Sequence, residues 1–180
     1  RIENAVKTLV ALLGAIDDFP IDLEILANDD ENLTHDEAYV IKAFGETANG
    51  KVKSRLISIL DDSNNEHFGG SNEDAEAIDA ARPRMRRQKG IMRSEADRIG
   101  TLTLYITDST TQNSRTRDAA NTTRNSGFPM EGTAITPEND IVDKVRYHFG
   151  ADSLVPHTPD EFANTFETIL RKYIRHLRSR

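Results

Sequence analysis

A carboxylate at the end of an apolar run is the residue of this sequence best placed to do chemistry. Residues 101–107 are rich in Leu, Ile and Thr, and Asp108 follows them directly. An apolar, β-branched run of this length is typical of a buried parallel strand. Because ligands bind at the carboxyl ends of strands in open α/β sheets, Asp108 is a candidate metal ligand. The alternative is that Asp108 belongs to the turn that leaves the strand, where Asp is common.

The segments that must position Asp108 alternate between strand-like and helical patterns. The sequence predicts strands at residues 21–26, 101–107, 132–136 and 153–156, with a strand or a short helix at 39–44. It predicts helices at 2–16, 51–60, 72–88, 117–126, 141–149 and from 159 onward. Pro83 is expected to kink or restart its helix, and Thr158 with Glu161 is typical of a capping box. This order predicts an α/β fold, a Rossmann-like three-layer domain with a mostly parallel central sheet flanked by helices.

Composition limits the classes of function. A chain of 180 residues suits one domain with one sizeable core, and its net charge of −7 argues against general affinity for nucleic acid. The absence of cysteine excludes disulfides and thiolate metal sites, and it fits a reducing, cytoplasmic location. We expect no membrane span, because no apolar run approaches ~20 residues. We also expect no signal peptide, since Arg1 opens directly into an amphipathic segment.

Four stretches, together with the order of the segments, resemble a von Willebrand factor type A domain. They are residues 39–46, 69–81, 102–109 and 134–162, so the resemblance covers roughly the whole chain. The best match is the intracellular branch, found in the cobaltochelatase accessory subunit and the nitric-oxide-reductase activation protein. The resemblance implies that residues 1–180 form a single von Willebrand A-like domain.

The resemblance also implies a magnesium or manganese site above the carboxyl edge of the sheet. Ser71 would supply the hydroxyl of the second metal-site segment and Asp108 the carboxylate of the third. Ser71 could instead cap the helix that follows it. The family's first strand and its Asp-x-Ser-x-Ser loop are not in this sequence, so we expect the chain to be the C-terminal part of a longer protein. Ser109 stands where the family commonly has Gly.

The function implied is that of a protein-binding module rather than a catalyst. Its metal site would capture an acidic side chain of a client protein. An AAA+ ATPase of the chelatase/MoxR type would be its partner in metal insertion or metalloenzyme maturation. One alternative is a PIN-like metal-dependent nuclease that uses Asp108, Asp118, Asp140 and Asp143 to hold metal ions against a phosphodiester. Another is an α/β interaction domain whose metal site has degenerated.

Two further features bear on binding. A basic cluster is expected to be a solvated connector, with a docking patch for an acidic partner as the alternative. Its members are Arg82, Arg84, Arg86, Arg87, Lys89 and Arg93. We expect neither a phosphate-binding Gly-rich loop nor a nucleophile elbow in this chain.

Overall fold

The computed structural model describes residues 2–16, 23–27, 39–63, 74–91, 102–107, 113–136 and 138–178. These ranges contain six helices and four strands. In chain order they are α1 (Ile2–Ile16), β1 (Ile25–Ala27), β2 (Tyr39–Lys42), α2 (Gly50–Ser63), α3 (Asp74–Ile91), β3 (Thr103–Thr107), α4 (Ser114–Asn125), β4 (Met130–Ala134), α5 (Asn139–Phe149) and α6 (Pro159–Arg178). The predicted mixed α/β composition is confirmed.

The strands form two separate pairs within the described ranges. β1 and β2 are antiparallel, with an irregular register between Ile25 and Leu26, and β3 and β4 are parallel. Parallel neighbouring strands need a crossover connection, and α4 provides it between β3 and β4. The three-layer arrangement with one mostly parallel central sheet remains a prediction.

The parallel half consists of α3, β3, α4, β4 and α5. Its core packs small alanines of α4 against the sheet and against larger side chains of α5 such as Val145 and Phe149. Gly132 of β4 lies directly under the Phe149 ring, and Tyr105 stacks on that ring at a centroid distance of 5.7 Å. A side chain at position 132 would occupy the volume of the ring, so the close approach requires glycine.

The antiparallel half consists of α1, β1, β2 and α2. Its core is a separate aliphatic cluster that includes Leu13, Ile41, Val52 and Leu56. Lys42 of β2 is buried, and its ammonium donates to the carbonyl of Leu23 at 2.7 Å. The buried charge is thus hydrogen-bonded to backbone oxygen, as a buried polar group requires.

Two contacts join the halves. Leu12 of α1, Ile135 and Phe162 of α6 form a third apolar cluster between them. Arg84 of α3 makes two hydrogen bonds, of 2.9 and 2.7 Å, to the carboxylate of Glu24 just before β1. In the ranges that the model covers, no helix combines the length and the apolar character needed to cross a bilayer.

One local prediction was wrong. Residues 153–156 form no strand: Pro156 accepts one hydrogen bond, from the Thr136 N–H at 3.0 Å, and has no N–H to return. The helix does not restart at Pro83, because α3 continues through it to Ile91, and the alternative of a kink stays a prediction. Pro83 is exposed, so its ring is accommodated without displacing core side chains.

Candidate functional site

The predicted metal ligands lie at the borders of the described structure. Asp108 follows Thr107, the last residue of β3, and Ser71 precedes Asp74, the first residue of α3, by three positions. Both Asp108 and Ser71 lie outside the described residues, so the structure gives their attachment points and not their side chains. We call the region around these attachment points the carboxyl edge; it comprises Thr107, Thr136 and the first turns of α3, α4 and α5.

A buried hydrogen bond connects the two attachment points. The Tyr105 hydroxyl, in the middle of β3, donates to Oδ1 of Asp74 at 2.7 Å. Asp74 is only 2% exposed, and as the first residue of α3 it lies where the helix dipole favours a negative charge. The bond therefore fixes the start of α3 beside the strand that leads to Asp108.

The start of α4 is fixed at the same place. Asn113 caps α4 by accepting the Thr116 N–H at 2.8 Å, an ordinary N-cap arrangement. In the first turn of α4, Arg115 pairs with Glu76 in the first turn of α3. The first turns of the two helices are thus held side by side at the carboxyl edge.

The end of β4 completes the edge. Thr136 is buried and its hydroxyl accepts the N–H of Glu138, the residue before α5, at 3.1 Å. Thr107 at the end of β3 is also buried.

The other acidic residues considered for a nuclease site are not assembled in the described part of the chain. Asp118 is exposed on α4, and Asp140 and Asp143 are exposed on α5. Asp140 pairs with Lys144 at 2.6 Å, as is common four residues apart on a helix. Among the residues that the model describes, no three His, Cys, Asp or Glu side chains are grouped so as to hold a metal ion.

The basic cluster has a structural use that its sequence did not predict. Arg84 binds Glu24, whose side chain is only 8% exposed, and Arg82 pairs with Asp79 while its Nε approaches the Thr123 hydroxyl at 3.4 Å. The Glu24 carboxylate raises the pKa of Arg84 further above its usual value. Arg93 and the side chain of Lys89 lie outside the described residues. At least part of the cluster therefore joins elements rather than forming a free patch.

A second polar site was missed by the sequence analysis. It is an open surface cleft of about 670 Å³ at the first turns of α2, here called the α2 cleft, and it is lined by Glu46, Asn49, Gly50, Lys51, Ser54 and Arg55. The Glu46 carboxylate accepts the Ala43 N–H at 3.1 Å and pairs with Arg55. These contacts, the Ala43 hydrogen bond above all, lower the pKa of Glu46. Asn49 caps α2 by accepting the Lys51 N–H at 2.9 Å.

The signal for this cleft was present in the sequence. Gly45, Gly50 and Lys51 have the spacing G-x4-G-K of phosphate-binding loops, but Val52 follows where those loops carry Ser or Thr. The sequence analysis predicted no phosphate-binding loop in this chain. The strand–turn–helix context of the pattern, β2 followed by α2, becomes clear only in the structure.

Comparison with models of known protein families, with curated proteins and with solved structures gave no match to this chain.

Proposed function

We propose that this protein is a metal-dependent protein-binding module of the von Willebrand A type, with its Mg²⁺ or Mn²⁺ site at the carboxyl edge. The observation that supports this proposal is the hydrogen bond from Tyr105 to Asp74. It ties together the two elements from which the predicted ligands extend, Ser71 before α3 and Asp108 after β3. A site built from two distant segments needs such a tie, because each ligand must be held at its productive position.

Asp108 and Ser71 would hold the ion in this proposal, as one carboxylate and one hydroxyl ligand. Magnesium ordinarily keeps several waters, which leaves positions for an acidic side chain of a client protein. The bound ion would supply positive charge for capturing that carboxylate, and no catalytic step is assigned to the chain itself. The partner in the proposal is an AAA+ ATPase of the chelatase/MoxR type, acting in metal insertion or metalloenzyme maturation.

Manganese titration followed by paramagnetic broadening of backbone amide signals tests the site directly. We expect Mn²⁺ to broaden the amides of Thr107 and Asn113 first, and Mg²⁺ to reverse the effect. Asp108→Ala should weaken binding at least about tenfold, because a charged ligand is lost. Asp118→Ala, which removes an exposed carboxylate from α4, is the matched control and should bind as the unaltered chain does.

Two outcomes would overturn the metal site. Broadening centred on other residues would place the ion elsewhere, and equal affinity in Asp108→Ala would remove Asp108 from the ligand set. Tyr105→Phe separates positioning from ligation: it should weaken Mn²⁺ binding less than Asp108→Ala does, while leaving the ligands in place. Cleavage of single-stranded or duplex nucleic acid that depends on Mn²⁺ and on Asp108 would favour the nuclease alternative instead.

A further inference from the structure

We infer that the α2 cleft binds the phosphate group of a phosphorylated small molecule. The inference is independent of the metal site, because the cleft lies in the antiparallel half and shares no residue with the carboxyl edge. It starts from Gly45, Gly50 and Lys51, whose spacing is that of loops in which backbone N–H groups and a lysine hold phosphate. Such a pattern is informative only between a strand and a helix, and here β2 ends three residues before Gly45 while α2 begins at Gly50.

Two cationic side chains line the cleft. Lys51 is exposed at the first turn of α2, where the helix dipole favours a bound anion. Arg55 lies one turn further on, and its Nε–H is buried with no hydrogen-bond partner among the described residues. The Arg55 side chain is 32% exposed and pairs with Glu46, so a phosphate in the cleft would reach the exposed part of its guanidinium.

The cleft already holds one anion, the carboxylate of Glu46. That carboxylate takes a backbone N–H from Ala43 and the guanidinium of Arg55, the two kinds of donor that bind phosphate in proteins. In the ligand-free chain Glu46 therefore fills part of the site and competes with the ligand for Arg55. Removing its charge should strengthen phosphate binding, an effect that a purely structural Glu46 would not produce.

The cleft differs from nucleotide-hydrolysing loops in one respect. Val52 stands at the position where those loops place a hydroxyl on Mg²⁺, and it is fully buried in the core with Ile41 and Leu56. Position 52 therefore faces the core and provides no metal ligand. We expect binding of the phosphate group that does not depend on Mg²⁺, and no hydrolysis.

Calorimetric titration of the full chain with inorganic phosphate, pyrophosphate and ATP, each with and without Mg²⁺, tests the inference. Lys51→Gln should weaken binding of the best ligand at least about tenfold, because a charge-assisted contact is lost. Lys53→Gln is the matched control: it removes an exposed lysine of the same helix that does not line the cleft, and affinity should change less than about twofold. Glu46→Gln should raise affinity severalfold.

The ligands separate the possible sources of the phosphate group. Tighter binding of ATP than of pyrophosphate would indicate a nucleotide, and equal binding would indicate a small phosphate ester or free phosphate. Equal losses in Lys51→Gln and Lys53→Gln would show nonspecific attraction and overturn the inference, as would weaker binding by Glu46→Gln in a variant that remains folded by circular dichroism. Asp108→Ala should leave phosphate binding unchanged, so failure of the metal site and failure of this cleft can be told apart.

Discussion

The parallel half and the antiparallel half each pack helices against a two-stranded sheet, but with different contacts. In the parallel half the closest packing is between apolar groups: the Phe149 ring lies on Gly132 and stacks with Tyr105. In the antiparallel half, polar side chains bind backbone: Lys42 reaches the Leu23 carbonyl, and Glu46 reaches the Ala43 N–H. Packing without space for one more methyl group tolerates little change, whereas a half-buried polar contact such as that of Glu46 can be exchanged for water. The two halves should therefore differ in how sharply substitutions affect stability.

The largest effect is expected from Gly132→Ala in the parallel half. A Cβ at position 132 would lie 2.6 Å from Cδ1 of Phe149 and closer still to Cγ and Cδ2, so the ring must move. We expect a loss of about 3 kcal/mol in the free energy of unfolding, measured by urea denaturation. Gly14→Ala is the control in α1, where no heavy atom lies within 4 Å of the added methyl group, and it should stabilise by roughly 0.5 to 1 kcal/mol.

A double-mutant cycle sharpens this prediction. If the loss comes from overlap with the ring, Phe149→Leu should make Gly132→Ala less costly by at least about 1 kcal/mol. Equal costs in the two backgrounds would show that the overlap is relieved elsewhere and that the parallel half is less tightly packed than its geometry indicates.

The next effect concerns the contact between the halves. Glu24→Gln removes the charge partner of Arg84 while keeping the shape of the side chain, and the Glu24 side chain is only 8% exposed. We expect a loss of about 2 kcal/mol in the free energy of unfolding. This value lies between the costs of breaking a buried and a surface ion pair, because Arg84 itself is one-third exposed. Glu3→Gln removes an ion pair that is 62% exposed on both sides, so it should leave the free energy of unfolding almost unchanged.

The same variant tests whether the halves unfold together. If the Arg84–Glu24 contact couples them, Glu24→Gln should lower the steepness of the denaturation curve or split it into two transitions. A single transition of unchanged steepness would assign the coupling to the apolar cluster of Leu12, Ile135 and Phe162 instead.

Features encoded by neighbouring residues were predicted well from the sequence. The helix end at Gly150 agrees with the prediction. In the predicted capping box the Thr158 hydroxyl accepts the Glu161 N–H at 3.4 Å, whereas the Glu161 carboxylate accepts the N–H of His157 instead of that of Thr158. Such signals depend on residues a few positions apart, where the chain itself brings the groups together.

What could not be predicted depends on residues far apart in the sequence. The antiparallel pairing of β1 with β2 and the separation of the two sheets arise from tertiary packing, to which strand patterns are insensitive. Arg84 and Glu24 are 60 residues apart, and Tyr105 and Asp74 are 31 apart, so neither contact could be read from local spacing. For the candidate site, the sequence indicated Asp108 and Ser71 but gave no sign of the Tyr105–Asp74 bond between their elements.

A smaller effect is expected from two matched helix caps, one in each half. Asn113 caps α4 and Asn49 caps α2, each by accepting a backbone N–H at 2.8 or 2.9 Å. Asn113→Ala and Asn49→Ala should each cost about 1 kcal/mol in the free energy of unfolding. Hydrogen exchange distinguishes the halves: loss of the Asn49 cap should speed exchange at Lys51 and Val52 alone. Faster exchange throughout β1 and β2 would mean that the cap also supports the antiparallel sheet.

The smallest effect is on the pH dependence of stability, and it compares Asp152, in the segment between α5 and α6, with Glu46 of the antiparallel half. The hydrogen bond from Lys172 lowers the pKa of Asp152, and the hydrogen bond from Ala43 lowers that of Glu46. A carboxyl group whose pKa is lower in the folded chain stabilises it above the ordinary carboxyl pKa, and this contribution is lost as the pH falls through the lowered value. Asp152→Asn and Glu46→Gln should therefore each make the free energy of unfolding less dependent on pH below about pH 4 to 5.

Stability at alkaline pH distinguishes the Lys172–Asp152 pair from Glu46. Lys172 has a raised pKa, because of its hydrogen bond to Asp152 and its second contact with Glu131, so its contribution is lost as the pH rises through that raised value. Lys172→Met should remove this loss of stability at alkaline pH and also reduce the pH dependence at acid pH, whereas Glu46→Gln should leave the stability at alkaline pH unchanged.

Unfolding curves between pH 3 and 11, at low and high salt, measure the stability in both pH ranges. Asp143→Asn is the control for removal of an exposed carboxylate. Additive effects of Asp152→Asn and Glu46→Gln would show that the halves titrate independently; a deviation from additivity would reveal electrostatic coupling across the apolar cluster that joins them.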